Sequence, residues 1–418
     1  MTDVFFEYRL EETENPLRRN PLMNVTKNLK PKSFIADSLK GSNSMINAQK
    51  KPGLYVHIPF CRTKCPYCGF YSIASTSLVS RWLTALKKEA RHYSRRFQCF
   101  DSLYLGGGTP TLLSVKDMEA LMRSLSTHFD FAPDTEITIE ANPGDVTQEK
   151  MDGLRALGFT RINLGVQSFD DKALRFLGRR HTGEQAEKAL RRLRSSGYTN
   201  IGIDLIYGLE GQTLGAWIET LKRALGFRPE HISCYQLSLE KGTPFWRMKE
   251  RGMIRPIDEE TERSFFLATS RFLEDKGYIH YEVSNFARTE GYCARHNDKY
   301  WHHAPYLGLG PSAHSFQHRT RWWNHRSIRR YCECLEARKA PVEAYETLTA
   351  DQIRLESIAL GLRTRNGFDL KEACLDSQSS DMLSTLEKSG FLQIKKDRIV
   401  PTLKGFLVAD FLPLCFNL

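Results

Sequence analysis

At 418 residues with 41% hydrophobic content, the chain is long enough for one large domain and a smaller one, and it carries no apolar run near the ~20 residues of a membrane span. The N-terminus lacks the basic-then-apolar order of a secretory signal, and ten cysteines, mostly scattered singly, exclude a disulfide framework and point to a reducing cytoplasm. A net charge of +11 raises nucleic acid as a partner, but stretches such as RWLTALKKEARHYSRRF interleave bases with acids as a solvated helix face does, so none is expected.

Residues 1–53 are rich in Pro, Asn, Ser and Lys without apolar periodicity and read as a poorly ordered leader. Glu7, Glu11, Glu12 and Glu14 argue against an acid-poor mitochondrial presequence, and Met23 or Met45 could serve as the start. From Leu54 short β-rich runs alternate with amphipathic helices: LYVHIPF, DSLYLGGG, EITIEANP, RINLGVQSF, NIGIDLIYGL and HISCYQLSLE. Six such units predict a parallel sheet with helical crossovers, an open, partial barrel over residues 54–340. A further strand, YIHYEVSNFA, follows a helix around Glu260 to Lys276. Residues 341–418 turn to helices, ending in a helix, a Gly turn and two short strands, a small helical module of winged-helix type.

Cys61, Cys65 and Cys68 form a C-x3-C-x2-C run on one loop, a spacing that can direct three thiolates at a common centre. Three thiolates on an iron–sulfur cluster leave one iron open to a chelating ligand such as the amino and carboxylate groups of S-adenosylmethionine. Zinc with His57 or a distant residue as fourth ligand is the alternative, although zinc sites more often pair C-x2-C twice. Cys99, Cys234, Cys293, Cys374 and Cys415 read as isolated packing thiols, and Cys332 and Cys334, as C-x-C in a helix, should point to different sides.

The run LGGGTPTLL lets backbone approach a ligand and offers amides to a charged end. Glu140, Gln167, Arg179 and Asp204, at or beyond the C-terminal ends of strands three to five, should face the same mouth, where barrel enzymes assemble their sites. Each could equally cap a strand or bond loop backbone.

YVHIPFC, the cysteine run, LGGGTPT, IEANP, LGVQSF, IDLIYGL, YEVSNFA and HNDKYW together closely resemble the HemN/HemW branch of radical S-adenosylmethionine proteins, from Leu54 to the C-terminus. The resemblance implies a partial (β/α)6 barrel with a C-terminal helical module and a [4Fe-4S] cluster on Cys61, Cys65 and Cys68. It places S-adenosylmethionine against Tyr55, Gly107, Gly108, Thr109, Glu140, Gln167, Arg179 and Asp204, and puts Tyr67 where oxidase members use an aromatic residue beside a second S-adenosylmethionine. Oxygen-independent coproporphyrinogen III oxidases of the branch read C-x3-C-x2-C-x-C, whereas the last position here is Phe70, as in its haem chaperones. Gly69, usually aspartate in the chaperones, is a departure. HNDKYW resembles the chaperones' haem segment and makes His296 the candidate haem-associated residue, with His302, His303 and His314 nearby; from spacing alone His296 is more often a core histidine between aromatics. The partners implied are haem, haem-accepting proteins of unstated identity and an electron donor, with peripheral membrane association and a homodimer as further options.

Overall fold

The structure is a computed structural model that describes residues 51–97, 99–372 and 377–416. The leader up to residue 50, with Met23 and Met45, and Cys374 lie outside the described residues.

Six parallel strands run in chain order: β1 (Gly53–Ile58), β2 (Cys99–Gly107), β3 (Asp130–Ala141), β4 (Arg161–Gln167), β5 (Ile201–Tyr207) and β6 (His231–Gln236). Each pairs in parallel with the next. The connections carry α1 (Val79–Tyr93), α2 (Val115–His128), α3 (Gln148–Ala156), α4 (Asp171–Phe176), α5 (Gly183–Ser195) and α6 (Leu214–Leu225). Ser114, Thr147, Thr182 and Thr213 each accept the amide three residues on, so a hydroxyl marks where the chain leaves its loop and becomes helix.

Strand period two then sorts the side chains. Leu54, Val56 and Ile58 of β1, Leu103 and Leu105 of β2, Ile162, Leu164 and Val166 of β4 and Ile201, Ile203 and Leu205 of β5 all join the core beneath the helices. Their alternates, Tyr55, His57, Tyr104, Glu140, Asn163, Gln167 and Asp204, therefore face the concave side. One phase of the pattern builds the fold and the other lines the site.

After β6 come α7 (Pro244–Glu250), α8 (Glu259–Asp275), β7 (Ile279–Glu282), β8 (Asn285–Ala287), α9 (Arg295–Trp301), β9 (Tyr306–Leu309), β10 (His314–Gln317), β11 (Thr320–Asn324), α10 (Ile328–Glu336) and β12 (Val342–Thr347). The stretch expected as one strand, YIHYEVSNFA, is a hairpin of β7 and β8, and β8 pairs antiparallel with β6. On the opposite side β9 lies parallel to β1, and β10, β11 and β12 continue antiparallel. The result is an open twelve-stranded sheet with the six expected strands at its centre. It passes the 340/341 division through β12, at a point where a helix rather than a strand was expected. Beyond it α11 (Ala350–Gly361), β13 (Phe368–Asp369), α12 (Ser377–Lys388), β14 (Leu392–Lys395), β15 (Arg398–Pro401) and α13 (Leu403–Phe406) enclose a separate small core around Ile358, Phe368, Leu392 and Ile399. Cys332 and Cys334 are both buried, because the packed stripe of α10, with Ile328, Tyr331 and Leu335, is wide enough to take Cys334 at its margin.

One buried acid ties α1 to the sheet's extension. The Glu89 carboxylate accepts from the Tyr331 hydroxyl at 2.5 Å, Asn324 Nδ2 at 2.6 Å and the Gly310 amide at 2.9 Å. Burial nevertheless pushes it up to about 7, against the pull of those donors. An acid whose folded value is raised binds more protons folded than unfolded, so its contribution to stability falls as pH rises from about 4.5 to 7 and is level above. Comparing urea unfolding at pH 5 and pH 8, wild type should lose more stability than Glu89→Gln, by a few kcal/mol in order of magnitude. Equal losses would place the Glu89 titration elsewhere.

Candidate functional site

The cysteine loop leaves β1 at Pro59 and returns at Ile73, where Ile73 N donates to Pro59 O at 2.8 Å and Cys61 N to Ile73 O at 3.0 Å. These bonds close the loop at its base. A turn bond from Cys68 N to Cys65 O at 3.1 Å holds its tip. Phe245 N donates to Pro66 O at 3.0 Å, and Gly178, at φ +64°, lies so close that a Cβ there would stand 2.6 Å from Pro66 Cδ. The loop is thus clamped between the turn after α4 and the start of α7.

Cys61, Cys65 and Cys68 are half-buried free thiols. Thr109 Oγ1 donates to Cys61 Sγ at 3.6 Å and Arg179 Nη1 to Cys65 Sγ at 3.4 Å. Burial pushes the Cys68 thiol up to about 11. Among the described residues no three His, Cys, Asp or Glu side chains close on a point that would hold a single metal ion. Three thiols on one closed loop, two of them with a side-chain donor on the sulfur, are a ligand set that would suit a [4Fe-4S] cluster. Tyr67 packs its ring 6.3 Å from that of Phe245, within an apolar cluster that includes Leu177 and Ile206.

The glycine run lies beside the loop's base. Gly107 sits at φ +106°, and a Cβ there would fall 2.5 Å from the His57 ring; one on Gly108 would fall 2.6 Å from Phe60 O. His57 Nε2 lies 2.8 Å from Tyr71 O, which can only accept, so Nε2 carries the proton and Nδ1 accepts from the Tyr55 hydroxyl at 3.0 Å. Glu140 Oε2 accepts from the Gly107 amide at 3.2 Å and Oε1 from the Tyr104 hydroxyl at 2.8 Å. Tyr55, Phe70, Tyr104, Gly107 and Glu140 line one cleft.

Gln167 closes β4 at φ +66°, a left-handed conformation that a side chain other than glycine adopts at a cost. Arg179 Nη2 donates to Gly165 O at 2.7 Å, which brings its guanidinium between Gly165 and Cys65. Burial pushes the Asp204 carboxyl up to about 6, with Glu140 adding to the rise. Gln167 Oε1, Arg179 Nε and Asp204 Oδ1 are all buried without a hydrogen-bond partner. Orphaned polar atoms on one concave wall suit a polar ligand that would complete them. Thr109 and Arg179 thus reach the cysteine sulfurs and Gly108 the loop's base, with Glu140 bonded to Gly107 beside it, while Tyr55, Gln167 and Asp204 share the concave face.

His296 lies in the same cleft rather than on an outer surface. It is 1% exposed, its Nδ1 is 3.1 Å from Ser102 Oγ and its Nε2 2.9 Å from the Tyr300 hydroxyl. Its ring stacks 5.3 Å from that of Tyr104, and burial pulls its pKa down to about 3. It is thus buried among aromatic rings with both ring nitrogens hydrogen-bonded. His302, His303 and His314 instead bond Asp298 O, pair with Glu356 and stack on Trp323. Sequence reasoning missed Tyr104, Arg161 and Asn163. All three share the strand phase of Glu140 and Asp204, the one signal that could have exposed them.

Open sheet, three-thiol loop and glycine cradle define a radical S-adenosylmethionine protein, and residues 55–224 match the profile of the Radical SAM superfamily. The solved structure of the coproporphyrinogen III oxidase HemN from Escherichia coli superposes with a TM-score of 0.76 at 27% identity, covering 88% of this chain and 90% of that one. A protein named Heme chaperone HemW from Mycobacterium tuberculosis is 36% identical over 86% of this chain and 93% of its own length. A mouse protein named Radical S-adenosyl methionine domain-containing protein 1, mitochondrial, is 34% identical over 66% of this chain and 63% of its own. The chain belongs to the HemW family.

Proposed function

We propose that this protein is a haem chaperone: it binds haem and passes it to acceptor proteins, holding a [4Fe-4S] cluster on Cys61, Cys65 and Cys68 and S-adenosylmethionine in the adjoining cleft. The observation that carries the reading is relatedness over nearly the whole length to proteins named haem chaperones. Phe70 supports it, since it lines the cleft and stands where the oxidases that the sequence resembles have a fourth thiol. When bound, the cluster supplies the electron that cleaves S-adenosylmethionine. The protein's own part is to bind and orient. Gly107 and Glu140 line the cleft, bonded to each other through the Gly107 amide, Gln167 and Asp204 offer acceptors to a ligand's hydroxyl or amino groups, and Arg179 fixes the Cys65 sulfur.

The resemblance to HemN favours a second reading, oxygen-independent coproporphyrinogen III oxidase. Both readings need an electron donor. A reducing compartment, the cytoplasm, suits the nine described cysteines, all free thiols; no described helix is long and apolar enough to cross a membrane.

The test is titration of haem into anaerobically reconstituted protein, followed by transfer to an apo-haem protein such as apomyoglobin. The reading expects stable, stoichiometric haem and measurable transfer; no binding would defeat it. His296 serves this site as a packing residue, so His296→Ala should leave the absorption spectrum of bound haem unchanged. It should instead lower stability by about 2–4 kcal/mol through a cavity and the loss of two buried hydrogen bonds. A shifted Soret band at wild-type stability would make His296 the axial ligand instead.

A further inference from the structure

Polar side chains on the concave face form a directed chain of hydrogen bonds that ends at the cleft. Arg161, fully buried, donates from Nη1 to Tyr292 O at 2.9 Å and from Nε to Asn163 Oδ1 at 3.2 Å. Arginine can only donate, so the oxygen of the Asn163 amide must face it and the nitrogen must face away. That nitrogen, Nδ2, reaches the Tyr104 hydroxyl at 3.3 Å. Tyr104, accepting from Asn163, has its single proton left for Glu140 Oε1 at 2.8 Å. Glu140 Oε2 takes the Gly107 amide. Burial and the neighbouring carboxylate hold the Tyr104 hydroxyl well above its ordinary value, so it stays a donor. The slot is tight, since a Cβ on Gly202 would meet Asn163 Oδ1 at 2.5 Å.

We propose that Tyr104 and Asn163 are positioning residues for the ligand held at Glu140 and Gly107: Arg161 fixes the Asn163 amide, Asn163 aims the Tyr104 proton, and Tyr104 locks the Glu140 carboxylate against the glycine run. The inference rests on the reading of that ligand as S-adenosylmethionine. A carboxylate free to rotate would have to be ordered whenever the ligand bound; here it is ordered in advance.

Two substitutions of nearly unchanged size test this. Tyr104→Phe deletes the donor. Asn163→Asp replaces the amide donor by an acceptor, so the Tyr104 proton turns from Glu140 to the new carboxylate although residue 163 stays behind Tyr104. In calorimetry of S-adenosylmethionine with reconstituted protein, each should weaken binding by about tenfold, as for loss of a bond to a charged group. Iron content should remain at wild-type level. The double variant should also lose about tenfold rather than about a hundredfold, because the asparagine acts only through the tyrosine. Additive losses would mean that the asparagine acts on the ligand by a route other than the tyrosine, and additivity overturns the inference. So does wild-type affinity in Tyr104→Phe, which decides alone should Asn163→Asp fail to fold, provided Glu140→Ala binds weakly. Were Glu140→Ala also unaffected, or the wild-type chain unable to bind, the reading of the cleft would fall with it.

Discussion

Cys65→Ser protein, purified and reconstituted without oxygen, is expected to lose most of its iron and sulfide while keeping its fold. The two halves of this result have separate causes. Cys65 is one of three thiols on a loop whose base is closed by backbone bonds at Pro59, Cys61 and Ile73, and the core beneath the helices contains none of the three. Serine in place of the sulfur leaves that scaffold intact but removes a soft thiolate from a cluster that has three protein ligands in all. Arg179, which donates to Cys65 Sγ, would face a neutral hydroxyl in place of a thiolate. Iron and sulfide analysis beside a far-ultraviolet dichroism spectrum makes the check. Unchanged iron in the triple serine variant of Cys61, Cys65 and Cys68 would remove the cluster from the account, and full zinc occupancy in wild-type protein would replace it.

Gly107→Val is expected to weaken S-adenosylmethionine binding by one to two orders of magnitude with the cluster retained. At φ +106° a β-branched residue is strained from the outset. Its Cβ would also fall 2.5 Å from the His57 ring, and that ring cannot withdraw without breaking its bonds to Tyr71 O and the Tyr55 hydroxyl. Strain of about 2–3 kcal/mol at the backbone proposed to meet the ligand corresponds to a loss of affinity of about 30- to 150-fold. Calorimetry measures it, and wild-type affinity would mean that the ligand lies elsewhere. Gly211, also at positive φ but with open space around its Cβ position, is the control and should tolerate alanine with no effect on binding.

The six central strands were legible because each combines an apolar phase, such as Leu54, Val56 and Ile58, with a polar or glycine end. The strands β9, β10 and β11 were not. At four or five residues each, and dense with glycine, histidine and tryptophan, they show too few alternations to separate a strand from a loop. YEVSNFA hides a hairpin because its turn, at Val283 and Ser284, carries neither glycine nor proline.

At the site, residues that stand at strand ends or in motifs could be named one by one. Tyr104 and Asn163 could not, since a polar residue in mid-strand has meaning only through its neighbours. Tyr104 pairs with Thr138 and Asn163 with Glu140 across the sheet, and that register is a property of the fold. His296 was ambiguous for the same reason. Only Ser102, from a strand 194 residues away in sequence, decides where its Nδ1 goes.

Coproporphyrinogen III, S-adenosylmethionine and an electron donor, given to the same reconstituted protein that is titrated with haem, separate chaperone from oxidase. A haem chaperone gives stable haem and no protoporphyrinogen IX. Robust, S-adenosylmethionine-dependent formation of protoporphyrinogen IX by wild-type protein would contradict it and make the chain an oxidase.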